Sequence, residues 1–276
     1  MKNQINEMFE KKSFLTALAP MQDVTTKAFM SIIASYSAPD LFVTEFFRVH
    51  GNSKLEAHIV DSIQDNQTNR PIMAQIIGES LPDLTRAIKD LHELNIAGVD
   101  LNMGCPAPKV YKKNVGGGLL RDPSESERVI AHFRENIQGV FSVKLRIGFE
   151  DDRYFDKIID LLRQYEVDFV TLHARTVKGG YRTDPSYEYI SRAVNTLDCP
   201  VFANGDVTSA YKAKDVIELT GARGVMVGRS AIRNPWIFRQ IDDLINERAI
   251  YRPTLGNVRE YVQALVDMTT NTHAGS

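Results

Sequence analysis

The feature that most constrains this chain is a recurrence. Short apolar segments rich in β-branched residues return eight times, each bounded by turn residues and separated by stretches of helical period. They run Phe14–Met21, Asp40–Phe46, Ile72–Gly78, Gly98–Gly104, Phe141–Gly148, Phe169–Arg175, Pro200–Asp206 and Gly224–Ser230. Parallel strands need crossover connections of a dozen or more residues, and this alternation supplies them. Helices are predicted over Leu81–Asn95, Pro123–Ile137, Arg153–Glu166, Pro185–Leu197, Ala210–Leu219 and Pro235–Asn246. Asp122-Pro123 is a helix start signal, an N-cap residue followed by proline at the first helical position. Eight strand–helix units predict an α/β fold, a closed (β/α)8 TIM barrel filling residues 1–246. A doubly wound open sheet would place a Gly-rich phosphate loop after its first strand, and Ala19-Pro20-Met21-Gln22 is not one. Residues 247–276 leave room for one helical stretch, Val258–Met268, and a polar tail.

Composition narrows the function classes. With 276 residues and 43% hydrophobic content the chain can bury one large core. No apolar run is long enough to span a bilayer, and the polar, mixed-charge start is unlike a signal peptide, so a cytoplasmic address and no membrane partner are expected. Cys105 and Cys199 are the two cysteines, too few for a disulfide framework, so an important cysteine acts singly. The net charge of −2 leaves nucleic acid open as a partner, because a local basic stripe can still supply phosphate contacts. No metal site is expected.

In a TIM barrel the chemistry sits at the C-terminal ends of the strands. Those ends carry Pro20-Met21, Glu45, Gln75, Asn102 through Pro106, Lys144 with Arg146, His173 with Arg175, Asn204-Gly205-Asp206, and Gly228-Arg229. Gly205 and Gly228 let backbone N–H groups approach an anion and Arg229 adds a fixed positive charge, so the last two strand ends predict a phosphate site. Strand alternation puts Lys144 and Arg146 on one face, where they need an anionic partner. Lys144 suits either a Schiff base or a charge that stabilises a reduced flavin. Gln75 offers the donor and acceptor pair that a flavin or nucleobase edge requires, and His173 suits cofactor contact, acid–base work or a core hydrogen bond. Cys105 lies before a loop that runs through Lys109, Lys112 and Lys113 to Gly116-Gly117-Gly118, which reads as a mobile lid. Its thiol can donate a proton at neutral pH, or act as a nucleophile if deprotonated.

Several of these segments together resemble the flavin-dependent tRNA-dihydrouridine synthases. The resemblance runs from Leu18-Ala19-Pro20-Met21 to about Phe238 and is carried most specifically by Val99 through Pro106 followed by Gly116-Gly117-Gly118-Leu119-Leu120. Val143 through Gly148, Leu172 through Thr176, Ala203 through Asp206 and Val227-Gly228-Arg229 support it, and Thr44-Glu45-Phe46 with Arg48-Val49 is similar to the bacterial C-type branch. The resemblance implies FMN held by Pro20, Met21 and Gln22, with Gln75 on the isoalloxazine edge and Lys144 and His173 in contact with the flavin. Asn204, Gly205, Asp206, Gly228 and Arg229 would hold its phosphate and ribityl end, and Cys105 would be the catalytic acid. Asn102 would position the uracil, NADPH would supply the electrons, and tRNA would be the partner. Extrusion of the target base calls for basic residues around the mouth, for which Lys109, Arg175 and Arg182 are candidates, with Lys112, Lys113, Arg121 and Lys178 beside them. The family's helical domain after the barrel is expected to be largely missing. Alternative readings are a flavin barrel acting on a free pyrimidine or other small substrate, an RNA-binding FMN protein without turnover, and a Schiff-base aldolase using Lys144.

Overall fold

The computed structural model describes residues 2–51, 53–78 and 80–273. The first part of the chain comprises α1 (Lys2–Lys11), β1 (Leu15–Leu18), α2 (Lys27–Ser37), β2 (Leu41–Val43), a short β3 (Phe47–Val49), α3 (Ala57–Gln64), β4 (Ile72–Gly78) and α4 (Leu81–His92). The middle continues with β5 (Gly98–Met103), the one-turn α5 (Pro108–Tyr111), a 3-10 turn over Gly116–Arg121, α6 (Pro123–Asn136), β6 (Val140–Arg146), α7 (Phe155–Gln164), β7 (Phe169–His173) and α8 (Glu188–Thr196). The last part holds β8 (Val201–Asn204), α9 (Ala210–Thr220), β9 (Gly224–Val227), α10 (Arg229–Arg233), α11 (Ile237–Ile245) and α12 (Leu255–His273). Strands β1, β2 and β4 to β9 pair in parallel in chain order, and β1 pairs back onto β9, which closes the expected barrel. β3 prolongs the line of β2 along β4, the register passing from Phe42↔Ile72 to Phe47↔Ile76.

Most strands stop short of their predicted ends. The segment expected over Phe169–Arg175 is strand only to His173, and that over Pro200–Asp206 only to Asn204. Their final residues leave the ladder to form the loops of the active face, where side chains converge. The helices start where sequence chemistry places them: the side chains of Thr26, Ser80, Asp122 and Ser209 each accept a hydrogen bond from a first-turn backbone N–H.

Alternation along the strands divides the interior into layers. At the N-terminal end Leu15, Leu41, Met73, Val140, Phe169 and Phe202 fill the barrel. α1 closes this end, with Ile5 fully buried and Phe9 at 6.0 Å from Phe169 and 6.1 Å from Phe202, ring centre to centre. The polar start of the chain gave no strand or helix signal strong enough to predict this plug. Full burial of a side chain such as Ile5 is worth about 1.5–3 kcal/mol. Above the apolar floor the inward positions turn polar, through Gln75, Asp100, Ser142 and Thr171 to Asn102, Lys144, His173 and Asn204, so the fold places its chemistry at the opposite end.

The C-terminal helix α12 is longer than the predicted Val258–Met268 stretch. Tyr261 is buried against the barrel, edge-on to Tyr36 at 5.4 Å, and its hydroxyl donates to the Ile232 carbonyl at 2.7 Å. Among the described residues no helix is long and apolar enough to cross a membrane.

Candidate active site

A cavity of about 360 Å³ opens at the C-terminal ends of the strands. That is within the range of roughly 300–1,000 Å³ typical of small-molecule and cofactor sites. Every residue expected to hold the cofactor lines it except Gln75, and Cys105 and Asn102 line it too. Among the described residues no cluster of His, Cys, Asp or Glu is arranged to hold a metal ion.

Cys105 is fixed from below by a buried polar chain. Ser142 Oγ donates to Asp100 Oδ1 at 2.6 Å and Gln75 Nε2 to Asp100 Oδ2 at 2.7 Å. Asn102 Nδ2 donates to Gln75 Oε1 at 2.8 Å, and Asn102 Oδ1 accepts from the backbone N–H groups of Gly104 and Cys105 at 3.0 and 2.9 Å. Both ends of the Gln75 amide are therefore engaged within the barrel, and the residue lies beneath the cavity rather than on its wall as expected. Burial raises the Asp100 carboxyl to about 6, opposed by its bonds to Ser142 and Gln75 and by the Lys144 charge. Burial also raises the Cys105 thiol, against the lowering effects of a backbone N–H at Ala107 and the charges of Lys144, Arg146 and Arg48. The thiol thus keeps its proton at neutral pH.

The glycines after Cys105 do not form the mobile lid expected from sequence. Gly116 through Leu120 are buried in the 3-10 turn. A Cβ at Gly117 would stand 2.6 Å from Val177 Cγ2 and 2.8 Å from the Cys105 carbonyl oxygen, and one at Gly118 would stand 2.6 Å from the Tyr111 carbonyl oxygen. Glycine is needed here because three loops press together behind the thiol, which makes the segment a rigid buttress. Gly117→Ala is accordingly expected to cost about 1–3 kcal/mol of stability, the usual penalty of overpacking, read as a fall in the thermal midpoint.

Lys144 and His173 line the same cavity as a cationic and a neutral wall. Lys144 Nζ lies 3.4 Å from Asn204 Oδ1, and Asn204 Nδ2 is tied to the Met226 carbonyl at 2.8 Å. Burial, then the neighbouring Arg146 charge, lowers Lys144 to about 8, with Asp100 and Cys105 opposing. His173 is pushed far below its ordinary value by burial first and then by Arg146, Lys144, Arg175 and Arg229, so its imidazole is neutral. Its Nδ1 is buried without a hydrogen-bond partner among the described residues. A buried polar atom left unpaired costs free energy.

At the ends of β8 and β9 lie the residues expected to cradle a phosphate. Gly205 has φ +121°, a conformation that L side chains rarely adopt. A Cβ on Gly228 would meet nothing closer than Ala19 at 3.6 Å, so the protein itself leaves the space before this glycine open. Arg229 closes the rim, its guanidinium 4.0 Å above the Tyr181 ring. These features fit a flavin mononucleotide: an open glycine cradle beside an arginine for its phosphate, and a lysine and a neutral histidine lining the cavity along the body.

The basic residues expected to meet substrate are distributed differently. Arg175 is buried, ion-paired with Asp206 through two contacts and bonded through Nε to the Thr183 carbonyl at 2.5 Å. It positions Asp206, a residue with φ +46°, and does not line the cavity, unlike the substrate contact expected of it. The hydrogen bond from Arg175, and then its charge, lowers the Asp206 carboxyl against the effect of burial. Lys109 is exposed and lines a separate hollow, and Arg182 is exposed outside the cavity. Arg121 and Lys178 lie over the rings of Phe149 and Tyr111, with Arg121 3.8 Å above Phe149. Arg146 braces the site by donating to the Gly104 and Thr176 carbonyls, both at 3.0 Å. Tyr181 and Phe46, both on the cavity wall, escaped the sequence reading; for Tyr181 the available signal was an aromatic residue after Gly179-Gly180 in a strand-end loop.

Sequence comparison gives the family. The model of the dihydrouridine synthase family matches residues 17–276. A probable tRNA-dihydrouridine synthase of Helicobacter pylori is 34% identical over 236 residues, covering 84% of this chain and 71% of its own. The tRNA-dihydrouridine synthase B of Pseudomonas aeruginosa is 33% identical over 229 residues, covering 82% and 68%, and that of Proteus vulgaris is 30% identical over 261 residues, covering 92% and 79%. The last two bear the B designation, so the likeness of Thr44 through Val49 to the C-type branch finds no support among these relatives. With the barrel closed, the thiol and the glycine–arginine cradle facing one cavity, and the match running through nearly all of the chain, the protein belongs to the dihydrouridine synthase family.

Proposed function

We propose that this chain is a tRNA-dihydrouridine synthase that binds FMN, draws electrons from NADPH and reduces the C5–C6 double bond of a uridine in tRNA. The observation that carries the reading is a half-buried thiol, Cys105, held by Asn102 and backed by the Gly116–Arg121 turn, in the same cavity as the Gly205, Gly228 and Arg229 cradle. Bound FMN would supply hydride to uracil C6 after reduction by NADPH. The Cys105 thiol donates the proton that C5 requires, and Asn102, locked by Gln75, orients the base. Lys144, charged near neutral pH, offsets negative charge on the cofactor, while His173 contributes a neutral imidazole. Pro20, Met21 and Gln22 line the side of the cavity made by the end of β1.

The direct test is nucleoside mass spectrometry of tRNA lacking dihydrouridine after incubation with the protein, FMN and NADPH. Formation of dihydrouridine supports the reading, and its absence while NADPH is consumed overturns it.

The Lys144 ammonium also sets a pH dependence. Its proton is lost as pH rises through about 8, so turnover should fall on the alkaline side from that point, before the raised Cys105 thiol ionises. Lys144→Arg, which stays charged, should retain residual turnover whose alkaline limb lies higher. Rate profiles between neutral and strongly alkaline pH check this, and a limb that does not move in the variant would assign it to another group.

A further inference from the structure

A second hollow, of about 230 Å³, lies beside the catalytic cavity. Its floor is apolar and buried, formed by Val49, Ile77, Val110 and Val115. The cluster containing Ile77, Val110 and Val115 also packs Phe46 and Cys105, which line the catalytic cavity, so the two spaces share a wall. Around the hollow stand the cations of Arg48, Lys109 and Lys113. Arg48 and Lys109 make no ion pair among the described residues. The nearby Glu56 carboxylate accepts from the Arg48 backbone N–H at 3.0 Å. The guanidinium instead lies 5.5 Å from the Phe46 ring centre, at the boundary between the two spaces.

This volume is below the roughly 300–1,000 Å³ of sites that enclose a whole small molecule, so the hollow suits one part of a larger ligand. An apolar floor beneath several cations matches a nucleotide, a flat base with a phosphate attached. We infer that the hollow seats a nucleotide adjacent to the target uridine in the substrate RNA, its base on the valine–isoleucine floor and its phosphate between Arg48 and Lys109. The inference rests on the RNA-substrate reading above and adds to it where the strand runs. A uridine extruded toward Cys105 needs its flanking backbone held, and phosphate contacts fix register in this way.

The test uses the flavin-loaded full chain and unmodified tRNA, comparing wild type with the double variant Arg48→Ala/Lys109→Ala. Both side chains are exposed, and removing them leaves the floor intact. The expected result is a KM for tRNA raised about tenfold or more, with a salt dependence shallower by about two in log–log slope. The dissociation constant of NADPH, read from anaerobic flavin reduction, should not move with it. Unchanged KM and slope would overturn the subsite, as would weakened NADPH binding in place of weakened tRNA binding, which would assign the hollow to the dinucleotide's phosphate. A wild-type protein that forms no dihydrouridine removes the RNA reading and the subsite together. An active wild type with an unmoved variant removes the subsite alone.

Discussion

Replacing Cys105 by alanine is expected to lower the rate of dihydrouridine formation by about 10²- to 10⁴-fold, the usual contribution of a positioned general acid. Two features of the site put the expected loss at this scale. The thiol is held protonated by burial, so it is available as an acid at neutral pH. It is also immobilised, because Asn102 accepts from its backbone N–H at 2.9 Å and the Gly116–Arg121 turn packs behind it. Alanine keeps that backbone arrangement, so the loss should appear in the rate of product formation with little change in stability. Serine, a weaker acid of similar shape, should restore little of the rate. Single-turnover measurement of dihydrouridine in tRNA reads the effect directly, and an alanine variant with wild-type rate would exclude the thiol as the proton donor.

The second large effect concerns the cradle. Arg229→Ala should weaken FMN binding by about 10- to 30-fold, since a hydrogen bond to a charged group contributes about 1.5–3 kcal/mol and every 1.4 kcal/mol is tenfold. The lower part of that range is chosen because the Arg229 side chain is 55% exposed, where solvent screens its charge. Removing the guanidinium also takes away its stacking on Tyr181 and its ion pair with Asp206, which keeps its pair with Arg175. Arg229→Lys should recover part of the affinity through its charge but not the planar contact with the ring. Titration of the apoprotein with FMN, followed by flavin fluorescence, gives both constants.

Much of this site is readable from the chain because its demands are local. Asn102 through Pro106 carries the acid and its orienting amide within one segment, and Gly205 marks a backbone position, at φ +121°, that L side chains rarely adopt. Height within the barrel is harder to read. Arg146 and Arg175 both follow inward-facing strand positions, yet one lines the cavity and the other is spent on Asp206, a partner 31 residues away. Gln75 shows the same difficulty. Its amide can satisfy a ligand or its neighbours, and only the placement of Asp100 and Asn102 decides for the neighbours. The α1 plug depends entirely on tertiary context, because a mixed-charge segment buries Ile5 only when the open end of a barrel is there to receive it.

The measurement that tests the central claim most directly is the anaerobic visible spectrum of the flavin-loaded protein as NADPH is added and unmodified tRNA follows. The account predicts flavin absorbance that bleaches with NADPH and returns with tRNA but not with free uracil. Failure of the protein to bind FMN, or a bleached flavin that tRNA does not reoxidise, would contradict it.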